Sequence, residues 1–282
     1  MALMQANWGL MLEGFVTKVF GLLLKGLWLL LLLPCTAVAI SIGTVEEPPG
    51  NFIDETGTLT GLSVDFVKAI QKRVGNSSPI QMLPPARLIK NSVRIPNFVI
   101  FSLSRSQERE KQYHWISLVM RKPLVMFAKK GTKINVNNIQ EAKALDRIGV
   151  LHSSVSHDYL LKQGFDNIEA VNSHKQNLEK LMLGRISLMY HSIQGAAKLC
   201  KDLGIDFNQL EPVLILQISN SSIAMSKKSD IEIVKKWQAA AKAIKEDGSF
   251  DVLAKKWQIY TEEVIGIPSE IKDGALNFWR SQ

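Results

Sequence analysis

The chain has 282 residues, 46% of them hydrophobic and 21% charged, enough for one sizeable core or two modest ones. Its formal net charge is +8, yet the pairs Lys129-Lys130, Lys235-Lys236 and Lys255-Lys256 sit among acids and the remaining basic residues are scattered. That pattern describes solvated faces and excludes a nucleic-acid-binding tail, so no nucleic acid is expected as partner.

In chain order, Lys18 and Lys25 precede an unbroken leucine run at 29–33 and the small-x-small ending Ala37-Val38-Ala39. A basic flank, a short apolar run and such an ending make up a secretory signal peptide over residues 1–39, cleaved after Ala39 into the periplasm. Lys25 interrupts any longer span, which argues against an uncleaved anchor. Pro34 before Cys35 is a poor fit for lipid attachment. The mature chain keeps a single cysteine, Cys200, so the fold must rest on its cores; Cys200 reads as a buried small apolar residue.

Residues 40–45 form a β-branched strand, and Asp54-Glu55-Thr56-Gly57 reads as a turn between two short extended pieces. Ser63 is placed to cap a helix carrying Val67, Ile70 and Val74, with Gly75 as its stop. Residues 80–83 are a strand, Pro85 opens a helix, and 97–101 is a buried strand. The βαβαβ order predicts an α/β lobe with a parallel sheet. It then repeats, with strands at 147–151, 168–171 and 186–190, a helix beginning at Ser153-Ser154, and a capping box of Ser173 and Gln176. Residues 124–128 and 222–225 are the expected extended crossings between lobes, and two closing helices follow. The first of these has Ser229 and Glu232 as a capping box, and Trp237 and Trp257 read as core anchors. The fold class expected is α/β: two α/β lobes joined by two extended crossings with a cleft between them. The first lobe takes 40–125 with 221–282, and the second takes 126–220.

The run from Thr44 through Pro48-Pro49-Gly50-Asn51 to Gly61-Leu62-Ser63-Val64-Asp65-Phe66 resembles the opening of the family 3 extracellular solute-binding proteins, which serve amino-acid-type ABC importers. Ser102-Leu103-Ser104 followed by Arg109 looks like that family's strand end and ligand-carboxylate arginine. Asp247-Gly248-Ser249 with Lys255-Lys256-Trp257 is similar to its closing helices. The likeness spans essentially all of 40–260, and Pro84-Pro85-Ala86-Arg87 and Trp115 suggest a particular branch. It implies a type II periplasmic-binding-protein fold, a monomer that closes on a small ligand, a membrane ABC permease as partner, and no cofactor or metal.

Hydroxyls at Ser102 and Ser104 share one face of a strand end, and Arg109 offers a planar fork suited to a carboxylate. The plainer reading of Arg109 is a surface ion pair with Glu108 or Glu110. Ser153 and Ser154 stand where the family has a Gly-Ser/Thr pair at a helix start, whose free N–H groups would hold an anionic group or serve only as a cap. Arg87 and Arg105 are further candidates, for the cleft or the surface. One departure matters: Gly184-Arg185 is followed by no acid through Ser192, where the family usually pairs the ligand ammonium. Glu47 is placed to replace that charge from the first lobe, and Phe52 to supply an aromatic wall or to pack in the core.

An enzyme would need a nucleophile and base, and neither a nucleophile elbow, a P-loop nor a paired-cysteine motif is present. His152 and His157 are spaced imperfectly for two metal ligands on one helix face. The expected function is binding and delivery of a small polar, carboxylate-bearing ligand. A ligand-presenting sensory module is the alternative, with an enzyme on the same fold behind it.

Overall fold

A computed structural model describes residues 39–278; residues 1–38, on which the expected signal peptide over 1–39 and Cys35 fall, lie outside the described residues. The chain runs through β1 (Ser41–Thr44), β2 (Phe52–Ile53), β3 (Leu59–Thr60), α1 (Leu62–Val74), β4 (Ile80–Met82), α2 (Pro85–Arg94) and β5 (Phe98–Ser104). β1 is central and pairs in parallel with both β4 and β5, the parallel βαβαβ lobe that the alternating pattern implies. After the long strand β6 (Tyr113–Lys129) come α3 (Ile139–Lys143), β7 (Ile148–Leu151), α4 (Val155–Lys162), β8 (Ile168–Val171), α5 (His174–Met182), β9 (Leu188–Ser192) and α6 (Ile193–Asp202). Here β7 is central, parallel to both β8 and β9, so the second lobe repeats the topology of the first. β10 (Leu210–Ser226) then returns antiparallel to β6, followed by α7 (Ile231–Glu246), α8 (Ser249–Tyr260), a π-turn at Thr261–Ile265, and the hairpin of β11 (Glu270–Lys272) and β12 (Ala275–Asn277).

The crossings differ from expectation in their position. β6 and β10 are each 17 residues long, and both run through the two lobes as one antiparallel ribbon. Residues 124–127 already pair with β9 in the second lobe, and residues 222–225 pair with β5 in the first. The change of neighbours falls instead at Lys122 and Pro123, which oppose Ser219 and Ile218, between Arg121, paired with β12, and Leu124, paired with β9. Apolar composition at 124–128 reflects burial in a sheet: Leu124, Met126 and Ala128 enter one core, and Val125 and Phe127 the other.

Local signals decide most helix ends. Gly75 closes α1 in the left-handed conformation, and Ser173 Oγ caps α5 by accepting the Gln176 N–H at 3.3 Å. Two caps move. α1 begins after Gly61, at φ 127°, where a Cβ would lie 2.2 Å from the Gly50 carbonyl oxygen; Ser63 lies inside the helix with its hydroxyl buried. In α7 the cap is Asp230, which accepts the Glu232 N–H at 2.8 Å, while Ser229 Oγ accepts the Asn97 N–H at 3.0 Å. Trp237 and Trp257 are core anchors as expected, and Cys200 is a free, buried thiol. Among the described residues no helix is long and apolar enough to cross a membrane.

Candidate ligand-binding cleft

The ends of the parallel strands in the two lobes enclose a cleft of about 430 Å³, where α/β proteins bind ligands. Glu47, Ser102, Ser104 and Arg109 line it from the first lobe, and Ser153 and Ser154 from the second.

Ser102 reaches the cleft through a bulge in β5. Ser222 opposes Leu103 and Ala224 opposes Ile100, so Phe101 and Ser102 together face the single residue Ile223. Ser102 takes φ 56°, an uncommon conformation for a residue other than glycine, and its hydroxyl donates to Asn51 Oδ1. Ser104 Oγ lies 2.7 Å from Ser219 Oγ, which sits on the opposite strand where the ribbon changes partners. Arg109 Nη1 donates to the Ser104 carbonyl at 2.9 Å, and burial works against its charged form. Its neighbouring acids are engaged elsewhere: Glu110 takes Arg105 through two bonds of 2.7 and 3.2 Å, and Glu108 pairs with Lys162 of α4. The surface-ion-pair reading of Arg109 is therefore not what the structure shows. Arg105 stacks over Trp115 at 5.3 Å and does not line the cleft.

In the second lobe Ser153 also has φ 56°, and its Oγ lies 2.9 Å from His152 Nδ1. Ser154 Oγ accepts the His157 N–H at 3.1 Å as the cap of α4, leaving the first helical N–H groups toward the cleft. α5 also begins at the cleft wall, through His174. Two positive helix ends, those of α4 and α5, thus meet the cleft, while α6 lies along it from Ser192 to Asp202.

Two expected site residues lie elsewhere. Phe52 is buried in the first-lobe core, 5.9 Å from both the Trp257 and Tyr260 rings, because β2 pairs with β3 beneath α8. Arg87 is exposed on α2, whose Pro85, Leu88 and Ile89 face the cleft instead. Glu47 does line the cleft, but its carboxylate is held by Lys122, which corrects its expected role as a free counter-charge.

Sequence reasoning missed Lys122 and the histidines. Lys122 lies in β6 at the change of neighbours, with its side chain only 2% exposed. His174 and His191 stack with centroids 3.6 Å apart and planes 13° from parallel, the His191 ring lying against Gly195, where a Cβ would come within 2.7 Å. Burial pushes His174 down to about 4, and His191 well below its ordinary value, so both rings are neutral near pH 7. The available signal for Lys122 was the charged pair Arg121-Lys122 inside an otherwise apolar run, Leu118 to Ala128. His152 and His157 tilt at 5.4 Å, and among the described residues no three metal-ligating side chains converge.

The profile of the bacterial extracellular solute-binding proteins, family 3, matches residues 40–259. The chain belongs to that family. It is 26% identical over 249 residues to an arginine-binding periplasmic protein of Mannheimia haemolytica, covering 83% of this chain and 98% of that one. It is 23% identical over 214 residues to the L-cystine-binding protein TcyJ of Escherichia coli strain K12, covering 74% and 78%. Among solved structures, a histidine kinase sensor domain with similarity to periplasmic binding proteins superposes at a TM-score of 0.68. The two are 16% identical, over 77% of this chain and 95% of that one. As a family 3 protein the chain has the type II two-lobe fold and belongs to a family of extracellular proteins that bind small solutes.

Proposed function

We propose that this family 3 chain, freed of its leader after Ala39, binds a small carboxylate-bearing solute in the periplasm as a monomer and delivers it to a membrane ABC permease. The observation that carries this reading is Arg109: a half-buried guanidinium inside the cleft, with its neighbouring acids committed to Arg105 and Lys162. Its fork suits a carboxylate, and Ser102, Ser104, Ser153 and Ser154 supply hydroxyl and N–H partners around it. Residues 40–125 with 221–282 act as the first lobe and 126–220 as the second. The ligand docks on the first and draws the second down, because only the closed form offers both sets of contacts. No residue here is assigned a catalytic role; the chain acts by binding, not by turnover.

A thermal-shift screen of residues 40–282 against amino acids, amines, peptides and organic acids tests this. A binder raises the melting temperature, since ligand stabilises only the folded state. Arg109→Ala is expected to remove that rise while the unliganded protein melts as before. A shift that survives the substitution would sink the carboxylate clamp, and a compound recovered chemically altered would mark an enzyme.

A further inference from the structure

Each acid lining the cleft already has a partner or faces solvent. Glu47 is the deepest, and it is bound by Lys122, whose side chain is 2% exposed against 32% for Glu47. A ligand ammonium drawing Glu47 away would leave a buried lysine unpaired, which is far costlier than the pair itself is stabilising. Asp202 stands at the last turn of α6, half exposed and held by Lys198 one turn back. Glu46 is exposed. Asp158 and Glu108, whose fields reach Arg109, do not line the cleft.

The remaining features favour negative charge. α4 and α5 begin at the cleft wall, Arg109 has no carboxylate partner among the described residues, and the Lys122 charge reaches His191. His174 Nδ1 is buried without a hydrogen-bond partner at the start of α5. A neutral imidazole there offers an N–H to an oxygen atom, or an acceptor to a hydroxyl or amide, without adding the anion an ammonium needs.

We infer that the cleft is selective for carboxylates that carry no free ammonium, such as organic acids or N-acylated amino acids, and that the Lys122–Glu47 pair is the element excluding zwitterions. The inference rests on the carboxylate clamp at Arg109. It separates this chain from its amino-acid-binding relatives by the loss of the ammonium site, not by a change of fold.

Isothermal titration of residues 40–282 with matched pairs tests it. Each free L-amino acid, with an aliphatic, aromatic, acidic, amide or basic side chain, is compared with its des-amino and N-acetyl counterparts. At least one counterpart is expected to bind roughly tenfold or more tighter than its parent amino acid. In Lys122→Met, which frees Glu47, the preference is expected to narrow or reverse by roughly tenfold. Glu47→Gln combined with Lys122→Met is expected to lose that gain while remaining folded by circular dichroism. Free amino acids binding as tightly as their counterparts to the unsubstituted protein would overturn the inference and leave solute binding intact. Saturable binding by no carboxylate of the panel would overturn both. An unchanged preference in a folded Lys122→Met would remove the pair from its role.

Discussion

His174 and His191 show how a single residue's surroundings set a property of the whole protein. Burial disfavours their charged forms, so the unfolded chain, with histidines near 6.5, takes up protons that the folded chain refuses until about pH 4 at His174. Between those values the unfolded state binds more protons, and stability must fall as pH falls, by up to ~1.4 kcal/mol per pH unit for each histidine. Urea denaturation at pH 7, 6 and 5 is expected to show a falling midpoint, flattened in a His174→Gln/His191→Gln variant. An equal slope in that variant would show that the proton uptake lies elsewhere. The sequence displays these histidines but not their meeting: they are 17 residues apart, at the ends of β8–α5 and β9, and only the parallel order of β7, β8 and β9 stacks them. Lys122 was hidden in the same way. Its partner Glu47 is 75 residues earlier, so along the chain it reads only as a charge beside a proline. Arg109 was legible because the strand end, its hydroxyls and the guanidinium lie within eight residues of one another.

At the scale of elements, the clearest lesson is Phe52. Next to a loop that lines the cleft it is a fair candidate for a ligand wall, but its position is decided by α8, some two hundred residues later. Trp257 donates from Nε1 to Asp65 at 2.8 Å, tying α8 to α1, and its ring and that of Tyr260 close over Phe52. Phe52→Ala is expected to destabilise the unliganded protein by about 3–5 kcal/mol in urea titration. The ligand dissociation constant should stay unchanged wherever the variant is folded. A weakened constant with unaltered stability would return Phe52 to the cleft. The parallel lobes themselves were readable from alternation alone, because β1, β4, β5, β7, β8 and β9 are short apolar runs separated by capped helices. The ribbon of β6 and β10 was not readable: Pro123 and Ser219-Asn220-Ser221-Ser222 fall where the strands change neighbours yet do not end them, and the change is set by which strand lies beside them.

Across the whole molecule two further links join the lobes. Glu108, beside Arg109, pairs with Lys162 at the end of α4, and this pairing holds the Glu108 carboxyl down at about 2. Behind the cleft, the segment after α8 reaches the second lobe: Ile265 and Ile267 pack against Ala197 of α6, and Lys201 Nζ donates to the Val264 carbonyl at 3.0 Å. The chain then returns as β12, parallel to β6 at Met120 and Arg121. These last contacts come from residues beyond 259, where the family match ends. The Glu108–Lys162 pair is open to water and screened by salt, so it biases closure without replacing the ligand. Lys162→Glu sets two carboxylates against each other, and small-angle scattering is expected to show a larger unliganded radius of gyration that saturating ligand restores. An unaltered radius would mean that the pair does not restrain the lobes.

Cys200 has a practical consequence for following such motion. In a chain begun at Ile40 it is the only thiol, and it is buried in the second-lobe core with burial pushing it up to about 11. At neutral pH it is neither accessible nor ionised, so maleimide chemistry passes it by. A cysteine placed at exposed Gln163, next to Lys162, would then be the one reactive position. The Gln163→Cys variant accepts a single environment-sensitive dye there without removal of Cys200, and the emission of that dye becomes an optical readout of occupancy.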